Sequence, residues 1–360
     1  MNKLKLAIIG LGRISPNHIV AAKENKDDIE LIAVCDVVPE NMEKALQKAG
    51  YYLPVKKYTD YKTMIITEEP DLVVIATDSG KHAEIGLYCI QNGCHCIIEK
   101  PIAMSISDAK QLISLAKDMN VTLAACHQNR FNKSIQKVRS AIDEGRFGKI
   151  SHISANVRWN RNEDYYRQAP WRGKWESDGG CLMNQCIHNA DLVAWMLGDI
   201  EEVFAYTARQ THDYIEGEDL GLALIKAKSG AYAVFEGTVN VYPRNLEETL
   251  YVFGEKGTVK IAGTSVNLID EWNFKDDIDN PELIKEECRE IPPNVYGFGH
   301  SRLYKNVIQS IKNGTKLLVD GEQGMKALEM ILAIYKSKKT GLPVKLPLVD
   351  FASKDMEGIF

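Results

Sequence analysis

The first 124 residues alternate between short apolar runs and amphipathic stretches, and this alternation limits the folds that are open to the chain. The apolar runs are Leu4–Ile9, Ile29–Cys35, Leu72–Ala76, Cys94–Ile98 and Thr122–Cys126. The amphipathic stretches between them include Glu40–Ala49, His82–Asn92 and Ser107–Asn120. Strands that are apolar on both faces and alternate with helices form a parallel sheet covered by helices on both sides. The sequence therefore predicts an α/β domain with a parallel sheet over residues 1–124.

The pattern changes after about residue 125. In Ser151–Trp159, apolar residues alternate with polar ones, which is typical of an antiparallel strand with one polar face. Similar runs lie at 203–210, 220–227, 231–241 and 249–261. Helices are predicted near 299–312 and 321–336, and the polar, acidic stretch 273–290 is expected to be a surface loop. Residues 125–360 are therefore predicted to form a second domain.

Charge and hydropathy exclude several classes of partner. The chain has 360 residues and a formal net charge of −5, which gives no reason to expect binding to nucleic acid or to an anionic membrane. The first apolar run ends at Arg13 without a small-residue cleavage site. No apolar run approaches the roughly 20 residues of a membrane span. We therefore expect a cytoplasmic protein.

The eight cysteines do not have the pattern of a disulfide framework. Six of them lie within apolar runs: Cys35, Cys89, Cys94, Cys96, Cys126 and Cys186. Buried free thiols are common in a reducing compartment. Cys94-His95-Cys96 could be interpreted as metal ligands, but residues two apart on a strand share a face, and small buried cysteines are usual in cores. We predict no metal site.

A glycine turn follows the first predicted strand. Gly10-Leu11-Gly12-Arg13-Ile14-Ser15 has the spacing G-x-G-x-x-S, with serine where a third glycine usually stands. Gly10 permits a tight turn, and Gly12 allows the backbone to approach a pyrophosphate. The N–H groups of the next helix would then face the phosphates. By itself this motif could be an ordinary glycine turn.

Asp36 ends the second apolar run. An acid at this position accepts hydrogen bonds from the adenosine ribose hydroxyls and repels the 2′-phosphate of NADP. A helix N-cap is the other interpretation of this aspartate. Glycine turn, strand context and acid together predict that the domain binds NAD rather than NADP.

Polar residues follow three of the predicted strands where each strand ends. Glu99-Lys100-Pro101 follows one strand, Thr77–His82 follows the strand before it, and His127–Arg130 follows the strand after it. In open parallel sheets, ligands bind outside the carboxyl ends of the strands. Lys100 is therefore a candidate for chemistry, although most lysines are simply solvated.

These motifs together resemble the Gfo/Idh/MocA oxidoreductases. The resemblance covers nearly the whole chain, in order: the glycine turn, Ala76-Thr77 with His82, Glu99-Lys100-Pro101, Asn129-Arg130-Phe131, and Gly179-Gly180 with His188. It implies an N-terminal Rossmann domain and a C-terminal α/β domain with an open, mostly antiparallel sheet. That sheet often makes subunit contacts in the family, so a homo-oligomer, dimer or tetramer, is expected. The resemblance also implies that Lys100 reaches nicotinamide ribose and substrate, often beside a cis-proline.

The stretch 178–197 predicts a helix after a glycine pair, with Asn184 and His188 on one face. In the family pattern, the position of Asn184 is frequently an aspartate that forms a base dyad with the histidine. An asparagine cannot stabilise an imidazolium by charge. This departure shifts weight toward Lys100, whose ammonium could stabilise a developing alkoxide. His188 could also be an ordinary hydrogen-bonded helix histidine.

The segment 158–175 is rich in basic and aromatic residues, with four arginines, one lysine and three tryptophans. Arginine offers fixed donors to carboxylates and phosphates, and aromatic rings cover sugar or base faces. A solvated loop is the alternative. Together with Met183-Asn184-Gln185, the segment resembles the subfamily that oxidises C3 of UDP-N-acetyl-glucosaminuronic acid for bacterial surface-polysaccharide synthesis.

The sequence thus predicts an NAD-dependent sugar dehydrogenase whose substrate is a nucleotide sugar. His188 is the first choice for proton acceptor, with Lys100 as the other candidate. The expected cofactor-binding residues are Gly10, Gly12, Arg13, Ile14, Asp36, Thr77, His82, Glu99, Lys100, Asn129, Trp171 and Arg172. The expected substrate-binding residues are Lys100, Arg158, Asn160, Tyr165, Asn184, Gln185 and His188.

Two alternative functions remain open. One is oxidation of a free cyclitol or aldose by an enzyme of the same family. The other is a non-catalytic, NAD-binding regulatory protein. Retention of Lys100 and His188 argues against the regulator, because a sensor needs no proton-transfer groups.

Overall fold

The computed structural model describes residues 3–292 and 296–360, which divide into two units. The strands are β1 (Leu4–Ile9), β2 (Ile29–Cys35), β3 (Lys56–Tyr58), β4 (Leu72–Ile75), β5 (His95–Glu99), β6 (Leu123–Cys126), β7 (Ile150–Arg158), β8 (Ile200–Ala208), β9 (Leu220–Ala227), β10 (Tyr232–Thr238), β11 (Glu247–Gly254), β12 (Gly257–Ala262), β13 (Leu268–Phe274) and β14 (Val344–Lys345). The helices are α1 (Ser15–Glu24), α2 (Pro39–Lys48), α3 (Tyr61–Glu68), α4 (His82–Gln91), α5 (Ile106–Asp118), α6 (Lys133–Asp143), α7 (Glu163–Arg167), α8 (Ile187–Leu197), α9 (Pro281–Glu287), α10 (Gly299–Asn313) and α11 (Gly321–Thr340).

The first domain contains a six-stranded sheet in the order β3-β2-β1-β4-β5-β6, with every pair parallel. Strands β4 and β6 are buried on both faces, as their uninterrupted apolar sequences require. This is the strand order of a dinucleotide-binding Rossmann domain. The predicted parallel sheet is confirmed.

The first domain does not end where the sequence pattern changes. It comprises the described residues up to His127 together with 300–325, rather than residues 1–124 alone. The returning segment completes it, because Ala125 donates its backbone N–H to the Val319 carbonyl at 3.2 Å. Asp320 forms a bridge with Ala124 on β6. Such pairing between residues distant in sequence is not visible in local periodicity.

The second domain, formed by the remaining described residues, contains an eight-stranded sheet in the order β13-β12-β11-β7-β10-β9-β8-β14. All neighbours are antiparallel except β7 and β10. The predicted mostly antiparallel sheet is confirmed. The predicted loop at 273–290 is wrong, because α9 lies within it. There Asn280 caps the helix start by accepting hydrogen bonds from the N–H groups of Glu282 and Leu283, and Ile284 supplies a buried anchor.

One face of this second sheet carries large apolar side chains that are exposed to solvent. Tyr206 is 68% exposed, Leu224 61% and Tyr232 57%. These residues belong to the neighbouring strands β8, β9 and β10. Exposed apolar patches commonly mark a surface that another protein covers. The homo-oligomer expected from the family stays a prediction.

Within the described residues, no helix combines the length and the apolar character that crossing a bilayer demands. The cytoplasmic location expected from the sequence stays a prediction.

A buried carboxylate holds the start of the helical segment that carries His188. Oε1 of Glu218 accepts hydrogen bonds from the Leu182 backbone N–H and the Tyr335 hydroxyl, each at 2.8 Å. Gly180 has a φ of +89°, and a Cβ there would lie 1.8 Å from Glu218 Oε2. Gly180 is therefore required by this packing. Because burial opposes ionisation, the pKa of Glu218 is raised to about 8.

We predict that this carboxyl makes the second domain less stable as the pH rises. Unfolded Glu218 releases its proton near its ordinary pKa of 4.5, whereas folded Glu218 retains it until about pH 8. The free energy of unfolding should therefore fall between about pH 5 and pH 8, and this contribution should level off above that range. Glu218→Gln, which cannot titrate, should show a smaller fall.

Urea denaturation followed by tryptophan fluorescence measures this effect, because all five tryptophans lie in the second domain. Glu286→Gln, which changes an exposed glutamate of the same domain, is the control and should follow the wild type. An unchanged pH dependence in Glu218→Gln would contradict the prediction.

Candidate active site

The glycine turn has the geometry that a dinucleotide pyrophosphate needs. Gly10 has a φ of +90°, and a Cβ there would lie 2.5 Å from the Ala76 carbonyl carbon. A Cβ on Gly12 would meet no atom within 4 Å, so the space beside that backbone is open. Ser15, in place of a third glycine, begins α1 and donates its hydroxyl to the Gly12 carbonyl at 2.8 Å. The turn and the start of α1 therefore fit a bound pyrophosphate. Arg13 is exposed beside this turn.

Asp36 joins the glycine turn to the end of β2. Its Oδ2 accepts the Leu11 backbone N–H at 2.7 Å, and its Oδ1 accepts the Val38 N–H at 2.9 Å and the Asn41 amide at 3.1 Å. The N-cap of α2 is Val38, so Asp36 is not the N-cap of that helix. A carboxylate has about four acceptor positions, so Asp36 retains capacity for ribose hydroxyls.

His82 connects the loop after β4 to the loop after β5. Its Nδ1 lies 2.7 Å from the Pro101 carbonyl oxygen and its Nε2 3.3 Å from the Thr77 carbonyl oxygen. Burial lowers its pKa, so the neutral ring has one N–H, which the shorter distance assigns to Nδ1. His82 is 1% exposed, so it holds the Lys100-Pro101 loop from within the domain. Direct contact of Thr77 and His82 with the cofactor stays a prediction.

Lys100 is half-buried at the carboxyl end of β5, and its bond to Pro101 is cis, as the family resemblance implied. Glu99, expected among the cofactor-binding residues, is instead enclosed inside the domain and 5% exposed. Its Oε1 contacts His18 Nε2 at 3.0 Å, and its Oε2 accepts the Lys100 backbone N–H at 3.1 Å. Both oxygens of the Glu99 carboxylate are therefore used within the protein, and its expected contact with the cofactor stays a prediction.

The Asn129-Arg130 motif lies in the second domain and is buried. Asn129 donates its amide to Glu248 at 3.2 Å, and burial raises the pKa of that glutamate to about 8. Arg130 forms a bidentate pair with Asp191 at 2.6 and 2.8 Å and stacks on Trp195. These contacts give the motif a packing role. Contact between Asn129 and the cofactor stays a prediction.

The helix predicted over 178–197 has an irregular first part. Residues Leu182–Cys186 form a π-helix, and α8 follows with the buried His188. π-Helical turns of this kind are frequent at functional sites. Asn184 donates its Nδ2 to Oδ1 of Asp178, whose Oδ2 accepts the Gly173 N–H at 2.6 Å. Asp178 was missed at the sequence level, although it directly precedes the glycine pair.

Several substrate candidates converge on Tyr165. Its hydroxyl contacts Arg172 Nη1 and accepts the Gln185 amide at 2.8 Å. The Arg172 guanidinium lies 4.2 Å from the Tyr165 ring centroid and 4.6 Å from that of Trp171. Arg161, which sequence reasoning did not select, donates its Nε to Gln185 at 2.9 Å. The cluster is therefore cationic and aromatic.

Arg158 does not belong to this cluster. Its Nε and Nη2 bind both oxygens of Glu236 at 2.7 and 2.6 Å, and its Nη1 binds Glu247 at 2.6 Å. Two carboxylates on neighbouring strands neutralise Arg158, and its expected contact with substrate stays a prediction. Asn160, also expected to bind substrate, donates its amide to the Val241 carbonyl at 2.6 Å.

The structure thus sorts the candidates between the two domains. The first domain brings Gly10, Gly12, Arg13, Ile14, Asp36, Thr77, His82 and Lys100 to loops that follow strands of the parallel sheet. The second domain holds Asn129, Asn160, Tyr165, Trp171, Arg172, Asn184, Gln185 and His188. Three expected cofactor contacts, those of Asn129, Trp171 and Arg172, therefore depend on the second domain and stay predictions.

Comparisons with known proteins agree with this geometry. Residues 4–127 match the model of an oxidoreductase family with an NAD-binding Rossmann fold, and residues 135–260 match the GFO/IDH/MocA C-terminal domain. Among curated proteins, the chain is 26% identical over 353 residues to a myo-inositol 2-dehydrogenase of Thermotoga maritima. That alignment covers 95% of this chain and 98% of the relative.

Two solved structures are more similar in sequence. A WlbA dehydrogenase from Bordetella pertussis, in complex with NADH and UDP-GlcNAcA, is 38% identical with a TM-score of 0.89, covering 96% of this chain and 99% of the other. A WlbA dehydrogenase from Chromobacterium violaceum with the same two ligands is 36% identical with a TM-score of 0.88, covering 97% of each chain. The chain therefore belongs to the GFO/IDH/MocA family of oxidoreductases, and its first domain is the NAD-binding Rossmann domain of that family.

Proposed function

We propose that this protein is an NAD-dependent dehydrogenase that oxidises the C3 hydroxyl of a UDP-linked N-acetyl-hexosaminuronic acid in surface-polysaccharide biosynthesis. The similarity to two structures solved with UDP-GlcNAcA, at 36% and 38% identity over nearly the whole chain, supports this substrate. Several curated inositol dehydrogenases are 24–26% identical.

The observation that carries the proposal is the environment of Arg172. Its guanidinium is stacked between Tyr165 and Trp171, and Nε is buried without a hydrogen-bond partner among the described residues. Arg172 is half-buried, and its unsatisfied Nε favours an anionic partner because an unpaired charged donor is costly. A carboxylate or phosphate of the substrate would supply one. Arg158, in contrast, is already neutralised by two glutamates.

The proposed reaction needs one acceptor for a hydride and one for a proton. Oxidation of a secondary alcohol to a ketone removes a hydride from carbon and a proton from oxygen. NAD bound to the first domain supplies the hydride acceptor. The proton needs a protein group, for which we propose His188, with Lys100 stabilising the developing alkoxide.

Asp178 extends the proposed proton-transfer arrangement. Asn184 directs its Nδ2 to the Asp178 carboxylate, which fixes the orientation of the amide. Asn184 then presents its carbonyl oxygen as an acceptor for a substrate hydroxyl or for an imidazole N–H. Position 184 lacks the carboxylate that is frequent there in the family. We infer that Asp178, which accepts the hydrogen bond from Asn184, supplies a carboxylate instead and acts as a positioning residue.

Cofactor choice is expected to depend on the charge of Asp36. The protein should bind NAD much more tightly than NADP, and Asp36→Asn should reduce this preference by about tenfold, because the amide removes one negative charge close to the 2′ position. Calorimetric titration with both cofactors measures the preference. Asp27→Asn, an exposed change in the same domain, is the control. Equal affinities of the wild type for NAD and NADP would contradict this assignment.

Turnover is expected to depend on both Lys100 and His188. Lys100→Met and His188→Ala should each fold and bind NAD but lose at least about a hundredfold in kcat, the usual scale for a positioned proton-transfer or electrostatic group. NADH absorbance during reaction with UDP-GlcNAcA measures kcat. Lys81→Met, which changes an exposed lysine in the loop after β4, should be unaffected. Normal turnover of Lys100→Met would make Lys100 an ordinary surface lysine.

The charge of the substrate is tested at Arg172. Arg172→Gln should lower kcat/KM for UDP-GlcNAcA by about ten- to a hundredfold, because a charge-assisted hydrogen bond contributes roughly 1.5–3 kcal/mol. The loss for uncharged UDP-GlcNAc should be much smaller. Arg158→Gln is the matched control and should change the ratio of the two substrates little.

Mass spectrometry of the product identifies the position that is oxidised and also tests the alternative functions. A 3-keto product from UDP-GlcNAcA is expected. Activity with myo-inositol equal to that with UDP-sugars would favour a cyclitol dehydrogenase. NAD binding without turnover of any sugar would favour a regulatory protein.

A further inference from the structure

A cluster of buried polar side chains surrounds Glu99, the residue that precedes Lys100 in the first domain. The carboxylate of Glu99 contacts His18 Nε2 through Oε1 at 3.0 Å and accepts the Lys100 backbone N–H through Oε2 at 3.1 Å. A carboxylate can only accept, so Nε2 of His18 carries the hydrogen. Both Glu99 oxygens are therefore engaged, one of them by the backbone of the proposed catalytic lysine.

The rest of the cluster comes from the returning helix α10. Tyr304 places its hydroxyl 3.0 Å from His18 Nδ1, within hydrogen-bond distance. His300 Nε2 lies 3.7 Å from Glu99 Oε1, and its ring packs edge-on against His18. His18 and Tyr304 are fully buried. The contacts explain why a segment so late in the chain belongs to the first domain.

The environment of Glu99 favours its ionised form. Burial alone would raise the pKa of this carboxyl, but the hydrogen bond with His18 and the nearby His300 ring outweigh burial and hold the pKa well below its usual range. A buried carboxylate that loses such a partner becomes strongly unfavourable and must move or take up a proton. Movement would release the Lys100 backbone N–H, and protonation would weaken the hydrogen bond that this N–H donates.

The same side chains could be interpreted as metal ligands. Donor atoms of His18, Glu99, Cys126 and His300 lie within 4.8 Å of one another. However, both ring nitrogens of His18 and both oxygens of Glu99 already make hydrogen bonds. The contacts therefore favour a hydrogen-bonded network.

We propose that His18, Glu99 and Tyr304 form a positioning network that sets the location of Lys100 through its backbone amide. This proposal rests on the function proposed for Lys100. The three residues act through Lys100. Their loss should therefore impair turnover while leaving the glycine turn and Asp36, and hence NAD affinity, nearly unchanged.

A graded series of variants tests the network. His18→Leu removes the donor to Glu99 and should lower kcat by about tenfold or more, with KM for NAD changed by less than about threefold. His18→Gln keeps an N–H near the Nε2 position and should recover most of that loss. Tyr304→Phe, which deletes one hydroxyl, should have a smaller effect in the same direction.

His95→Asn is the matched control. His95 lies on the same strand as Glu99 but at its opposite end, where its Nδ1 accepts the Thr122 N–H at 2.8 Å. The asparagine preserves an acceptor, and kcat should stay within about twofold of the wild type. A loss equal to that of His18→Leu would show a general effect of altering this strand and would overturn the proposal.

A double-mutant cycle separates positioning from a merely structural role. If His18 acts through Lys100, His18→Leu should cost less than about twofold when added to Lys100→Met. An equal loss in both backgrounds would overturn the network. Full turnover of Lys100→Met alone would instead show that the function proposed for Lys100 is wrong.

Hydrogen exchange provides a readout that does not depend on activity. The Lys100 amide should exchange about tenfold faster in His18→Leu than in the wild type or in His95→Asn. Unchanged exchange in a folded His18→Leu protein would overturn the proposal. Elemental analysis of the purified wild type should find no stoichiometric transition metal. One metal per chain that is lost in His18→Leu would replace the network with a metal site.

Discussion

The parallel pairing of β1 with both β2 and β4 is the constraint on which the cofactor end depends. It places the loops that follow these strands at one edge of the sheet. The loop after β4 approaches so closely that a Cβ at Gly10 would lie 2.5 Å from the Ala76 carbonyl carbon. Asp36 at the end of β2 then binds the Leu11 N–H in the same turn. The strand order therefore requires a glycine at position 10 and gives Asp36 a structural contact, in addition to any role that these residues have in binding the nucleotide.

Two buried glutamates each accept a hydrogen bond from a backbone N–H, but one favours its ionised form and the other its protonated form. Glu99 binds the backbone N–H of Lys100, and Glu218 binds that of Leu182 at the start of the segment that carries His188. Histidine donors favour the ionised form of Glu99, whereas burial favours the protonated form of Glu218. In both cases a carboxyl group inside a domain holds backbone close to a proposed catalytic side chain. Each carboxyl group is itself held by residues distant in sequence: His18 contacts Glu99, and Tyr335 contacts Glu218.

Much of the fold could be predicted because its strands carry distinct apolar periods. Uninterrupted runs indicated the parallel sheet, and alternating runs indicated the antiparallel one. The helix α9 was missed because its acidic sequence has only a short buried face around Ile284. The two glutamate partners of Arg158 could not be predicted, because they lie on β10 and β11, 78 and 89 residues away. Arg161 and Asp178 were missed because their importance depends on the neighbours that folding provides.

The sequence by itself determined the family, the two kinds of sheet, the glycine turn after β1 and the candidates Lys100 and His188. These features are local, since each depends on a short motif or on a period of two or three to four residues. Only the tertiary structure decided which charged side chains already have partners within the protein. It paired Arg158 with glutamates, stacked Arg172 on Tyr165, and enclosed Glu99 with His18. Burial and partners set the state of a charged group, and both come from residues that only folding brings together.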